Sequence, residues 1–159
     1  MKIYSFGAET APVILLLPGT CCHWKSNFGK VIPLLSDTVR VLCVSYDGFD
    51  ETERTEFSGM IKETEKIEAY IRENCGGRIC AAYGCSLGGS FVGLLAARQR
   101  IHIAYGILGS SDLDQASPFV AKLQTNLLLP LIYPLLRDGQ FKSRLLQKCL
   151  EKRKAETSS

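Results

Sequence analysis

Short, uninterrupted apolar runs alternate along the chain with longer stretches in which apolar residues recur every three or four positions. The first run, residues 13–17 (VILLL), has no polar interruption, which suits a strand covered on both faces in the middle of a parallel sheet. Residues 24–35 read as a helix and 40–46 (RVLCVSY) as the next strand. Residues 57–74 read as a helix with Met60, Ile61, Ile67, Tyr70 and Ile71 on its apolar face, stopped by Gly76-Gly77. A third buried strand, 78–83 (RICAAY), is followed by a Gly-rich turn. A helix then runs to about Arg98 and carries Phe91, Val92, Leu94 and Leu95, and residues 101–108 make a fourth strand.

This β-α-β-α-β-α-β order, with connections of helix length, predicts an α/β fold: right-handed crossovers and a mostly parallel sheet with helices on both faces. In such sheets function gathers at the C-terminal ends of the strands. Beyond Ser110 the pattern changes. Residues 118–136 are rich in Leu and hold prolines at 118, 130 and 134, an amphipathic helix is expected over about 141–154, and no further strand follows. The run 127–136 (LLLPLIYPLL) is too short to span a bilayer, and its prolines would break a membrane helix. Two readings stand for it: a helix packed on the core, or a lid lining an acyl-binding pocket. The expected division is thus a core over 1–112, a helical lid- or cap-like segment over 113–154, and a polar tail over 155–159.

Composition narrows the picture modestly. A chain of 159 residues, 46% hydrophobic and 22% charged, suits one domain with one core. The net charge of +3 is too small to imply a nucleic-acid partner. The first apolar run is strand-length and stops at Pro18-Gly19, so export is not expected, nor is a transmembrane segment. Seven cysteines, an odd number falling partly inside apolar runs, read as reduced thiols in a cytoplasmic protein. Cys21-Cys22-His23 is a poor zinc site, because adjacent residues seldom converge on one tetrahedral ion. No metal or other cofactor is expected.

The sharpest chemical signal is Gly84-Cys85-Ser86-Leu87-Gly88-Gly89, lying between a buried strand and an apolar-periodic helix. It matches the G-x-S-x-G turn in which a strand reverses into a helix and lifts a serine hydroxyl above the sheet. So sharp a reversal strains the central residue and needs neighbours nearly free of side chain, as Gly84 and Gly88 are. Ser86 is then the candidate nucleophile, with the backbone N–H of Leu87 one donor to a developing oxyanion. A second donor is needed. Gly19 would let the main chain approach the serine, so that the N–H of Thr20 or Cys21 points at the same spot, although Pro18-Gly19-Thr20 also reads as a simple turn.

Together LLLPGTCCHWKSNFGKVIPLL, VLCVSYDGFD and AAYGCSLGGSFVGLLAAR resemble the first half of the α/β-hydrolase superfamily, over roughly residues 12–112. Where a His-Gly pair often stands in that family, this chain has Pro18-Gly19. The resemblance implies the order nucleophile, acid, histidine, the last two on loops after later strands. Those strands are not in this chain, so the resemblance implies a C-terminally truncated fold.

Asp112, after the fourth strand, resembles the acid of some hydrolase-fold enzymes and equally suits a helix N-cap, with Asp114 its neighbour. Two histidines are present: His23, a helix-start residue or a substitute general base near the mouth, and His102, expected far from Ser86. Asp47 could line the pocket or simply make an Asp-Gly turn, and Cys85 beside Ser86 is a pocket wall or a small buried filler. The expected function is a serine hydrolase of an ester or related acyl substrate, working through an acyl-serine, with its histidine absent from this chain. The alternative is a non-catalytic protein of the same fold holding a small apolar ligand. A weaker third reading is self-association through the sheet edge left exposed.

Overall fold

The structure is a computed structural model that describes residues 1–20 and 22–111, together with Lys122 and Asn126. The segment expected to form a lid, the polar tail, Cys21 and Asp112 lie outside the described residues.

The elements follow the chain as β1 (Lys2–Phe6), β2 (Val13–Leu17), α1 (Trp24–Phe28), α2 (Ile32–Leu35), β3 (Arg40–Ser45), α3 (Met60–Cys75), β4 (Arg78–Cys85), α4 (Leu87–Arg98) and β5 (His102–Gly109). Among the described residues they form a five-stranded sheet in the order β1-β3-β2-β4-β5. β2 pairs in parallel with β3 and β4, and β4 with β5, while β1 runs antiparallel to β3. The mostly parallel α/β architecture expected from the apolar pattern is the one observed.

Alternation along the strands sends side chains to two separate cores. Leu15, Leu17, Leu42 and Val44 join Ile67 and Ile71 of α3 and Phe91, Val92 and Leu95 of α4 on one face. Leu16, Val41 and Cys43 join Trp24, Phe28 and Ile32 of α1 and α2 on the other. Phe91, Leu95, Ile67 and Ile71 are completely buried; each such side chain contributes about 1.5–3 kcal/mol relative to exposure.

Three sequence expectations need correction. β1 was not foreseen: KIYSF mixes polar and apolar residues as an antiparallel edge strand does, and lacks the solid apolar run used to find the others. The single helix expected over 24–35 is two, α1 and α2, because Pro33 has no N–H to give the carbonyl of Gly29 and its ring would clash there. On α3, which begins at Met60, Ile61 faces outward and is half exposed, while Glu63, Thr64 and Glu68 lie buried beside Ile67 and Ile71.

Those buried acids have partners, without which their desolvation would be prohibitive. The carboxylate of Glu68 takes a forked pair of hydrogen bonds from Arg98, at 2.7 and 3.2 Å, and so staples α3 to α4. Glu63 accepts from the backbone N–H of Asp47 at 3.1 Å and from Lys66 at 2.7 Å, which fixes the loop after β3.

Candidate active site

β4 ends at Cys85 and α4 begins at Leu87, so the chain reverses within one residue. That residue, Ser86, has φ 51° and ψ −115°, a backbone conformation L side chains rarely adopt. Its side chain is exposed above the ends of the parallel strands. The reversal is feasible because its flanks are bare. A Cβ on Gly84 would fall 2.1 Å from the carbonyl of Gly88, and one on Gly88 would fall 2.0 Å from the carbonyl oxygen of Leu17 in β2. No side chain fits at either position, so strand, helix and neighbouring strand touch through backbone alone.

The main chain of Ser86 is held from several sides. Its N–H donates to the carbonyl of Gly109 at the end of β5, at 2.8 Å. Its carbonyl accepts from the N–H of Gly89 and from the hydroxyl of Ser111, both at 2.9 Å. Ser111 was not singled out by the sequence, which carries no signal for it. A Cβ on Gly89 would fall 1.6 Å from its hydroxyl oxygen, so Gly89 is what lets Ser111 reach in.

Gly19, at the end of β2, comes against the same point: a Cβ there would lie 3.5 Å from the Cβ of Ser86 and 3.3 Å from the carbonyl oxygen of Cys85. Its N–H donates to the side-chain oxygen of Asn27 in α1 at 2.9 Å, and its carbonyl accepts from Cys22 at 3.2 Å in a tight turn through Thr20, which is exposed. Asn27 was missed as well. The signal was there: it lies on the same stripe of α1 as buried Trp24 and Phe28, where a polar residue needs a partner. Buried Tyr46 completes the frame, stacked on Phe91 of α4 with ring centroids 4.6 Å apart and donating its hydroxyl to the carbonyl of Pro18 at 3.3 Å. Burial pushes that phenol well above its ordinary range, so it stays a donor.

The remaining candidates are placed as follows. Leu87 is half-buried at the first position of α4, so its N–H is among the first-turn donors that a helix leaves unpaired. Cys85 is half-buried and packs against the α1 face, where it helps line a groove of about 370 Å³ with Phe28, Val31, Tyr83 and Ile107. His23 caps α1, its Nδ1 accepting from the N–H of Lys25 at 3.2 Å. His102 begins β5 opposite Arg78 at the start of β4, a whole strand length from Ser86, roughly 25 Å at about 3.3 Å per residue.

Asp47 is buried, and its carboxylate is held by Lys66 and the Met1 amino group. Near it Asp50 accepts from Tyr4 and Thr52. Burial alone would raise its carboxyl, but these hydrogen bonds outweigh that and hold it well below the usual carboxylate range. Cys43 lies inside the sheet, where burial pushes its thiol up to about 12, so it is inert.

This arrangement, an exposed serine on a strained one-residue reversal between a parallel strand and a helix, belongs to the α/β-hydrolase fold, and the chain has that fold in part. Comparison with solved structures agrees. The chain is similar to a protein described as of the α/β-hydrolase family from Desulfitobacterium hafniense, at TM-score 0.74 and 22% identity, covering 85% of this chain and 54% of that one. It is similar to the thioesterase domain from the curacin biosynthetic pathway, at TM-score 0.61 and 20% identity, covering 80% of this chain and 48% of that one. It is also similar to a structure from a study of carboxylesterases of the ammonia-oxidizing Thaumarchaeon Nitrososphaera gargenis, at TM-score 0.64 and 13% identity, covering 87% of this chain and 50% of that one. The chain therefore spans about half the length of these proteins. Scans against family models and curated sequences return no match. No helix among the described residues is long and apolar enough to cross a membrane.

Proposed function

We propose that this chain is the nucleophile-bearing part of a serine hydrolase acting on an ester or related acyl substrate. What carries the reading is one observation: the residue at the strained reversal is a serine with its hydroxyl exposed, where glycine would relax the backbone. Strain kept at a residue with a usable side chain marks chemistry more than folding. The hydrolases, thioesterase and carboxylesterases among the similar structures support the same class.

In this reading the Oγ of Ser86 attacks the substrate carbonyl carbon while a general base takes its proton. The carbonyl oxygen becomes an oxyanion held by the N–H of Leu87 and that of Thr20 or Cys21, helped by the N-terminus of α4. The leaving group departs with a proton, an acyl-serine remains, and water then releases the acid. No cofactor takes part. Asp112 is the candidate acid.

The base is the missing piece of this chemistry: His23 caps α1 through its Nδ1, and His102 begins β5 at the far end of that strand. Losing a triad member costs on the order of 10⁴ to 10⁶ in rate, so the chain alone should turn over very slowly. That same placement favours a second reading, a protein of hydrolase fold that holds a small apolar ligand without cleaving it. A fluorophosphonate probe separates the two. Labelling that maps to Ser86 and disappears in Ser86→Ala supports the hydrolase; a protein that stays unlabelled at high probe concentration supports the binder.

A further inference from the structure

The loop that follows β2 runs directly past Ser86. A Cβ on Gly19 would lie 3.5 Å from the Cβ of Ser86 and 3.8 Å from the side-chain oxygen of Asn27, so the three residues meet at one point. Two successive peptide units pass through it, Pro18–Gly19 and Gly19–Thr20. Each is planar and trans, so its carbonyl and its N–H point in opposite directions. In the first unit both groups are taken: the Pro18 carbonyl accepts from the hydroxyl of Tyr46 at 3.3 Å, and the Gly19 N–H donates to Oδ1 of Asn27 at 2.9 Å. In the second, the Gly19 carbonyl accepts from the N–H of Cys22 at 3.2 Å. Among the described residues nothing accepts from the N–H of Thr20, which is left over one residue past the contact with Ser86.

We propose that Asn27 is a positioning residue, holding the Pro18–Gly19 peptide so that the N–H of Thr20 is the second donor to the oxyanion formed at Ser86. This role rests on the hydrolase reading above and adds to it a residue that never touches the substrate. Gly19 has no side chain to restrict it, so a peptide clamped at one end alone could turn about it. Here the clamp is double. Tyr46, packed in the core that holds α3 and α4, grips the carbonyl end, while Asn27 grips the N–H end from α1 on the other face of the sheet. Only the oxygen of the Asn27 amide can receive an N–H, which sets the orientation of that side chain. A donor fixed in advance needs no reorganisation as charge develops, and that is the source of its catalytic effect. Losing such a donor outright costs on the order of 10² to 10³ in rate, so letting one swing should cost about tenfold or more.

The test is the rate at which a fluorophosphonate labels Ser86 in the full chain, since phosphonylation builds negative charge on the phosphoryl oxygen that the donors would hold. Asn27→Ala should slow labelling by about tenfold or more, with circular dichroism showing a folded chain and amide exchange showing Gly19 unprotected. Ile32→Val, which loosens packing in the same layer, should label at the unmodified rate. Asn27→Asp keeps an acceptor for Gly19 and adds a charge. Its labelling relative to the unmodified chain should fall as pH rises through the carboxylate range, because the ionised form opposes a negative oxygen forming nearby. A purely structural asparagine would give no such slope, and this variant decides the matter if Asn27→Ala does not fold. A folded Asn27→Ala that labels at the unmodified rate overturns the positioning role and leaves the hydrolase reading standing, as does an Asn27→Asp profile parallel to that of the unmodified chain. An unmodified chain that the probe never labels overturns both.

Discussion

Strand β4 is bounded by two turns that solve the same geometric problem in opposite ways. At its start, the chain leaves α3 through Gly76 and Gly77, with φ of 60° and 75°, so the left-handed positions are held by the residue that adopts them without strain. A Cβ on Gly76 would meet nothing within 4 Å. At its end, the positive φ falls on Ser86, and the glycines stand on either side, at 84, 88 and 89, where space is the limit. The first turn is relaxed and roomy; the second is strained and crowded. Only the second makes sense as a device for presenting a side chain.

Substitutions sharpen that contrast. The largest effect should come from Gly88→Ala, whose methyl would sit 2.0 Å from backbone of β2. A loss of at least about 3 kcal/mol is expected, the upper end for overpacking, because backbone cannot swing aside. Denaturant melts or the soluble yield measure it, and a near-native midpoint would show that the crowding is illusory. Gly76→Ala should cost about 1–2 kcal/mol, since only the left-handed conformation opposes it. The smallest shift, and of opposite sign, belongs to Ser86→Gly. Relief of strain should stabilise by about 1 kcal/mol, a rise of roughly 2–4 °C in Tm for a domain of this size, while fluorophosphonate labelling vanishes. A fall in Tm would mean that the turn is not strained at all.

Much of this was legible beforehand. The solid apolar runs of β2, β3 and β4 announce buried parallel strands, and Gly-x-Ser-x-Gly between strand and helix locates the reversal. What escaped did so for physical reasons. β1 hides because an antiparallel edge needs no continuous apolarity, and the break between α1 and α2 was missed by weighting periodicity over Pro33. Glu63 and Glu68 look like solvent residues, and the partners they meet, Asp47 and Lys66 for the one and Arg98 for the other, make burial tolerable. Asn27 left its signal in the stripe of α1, whereas Ser111 acts on the backbone of Ser86, 25 residues back, and such a pairing leaves little trace in local pattern.

The hydrogen bonds around Ser86 have one more consequence. With its amide tied to Gly109 and its carbonyl shared between Gly89 and Ser111, the residue cannot swivel about its own φ or ψ without unfastening β5 from α4. It is therefore not a hinge. The freedom left at this position is the spin of the Cα–Cβ bond, so the hydroxyl searches a small arc above a fixed anchor, and whatever meets it must come to that arc.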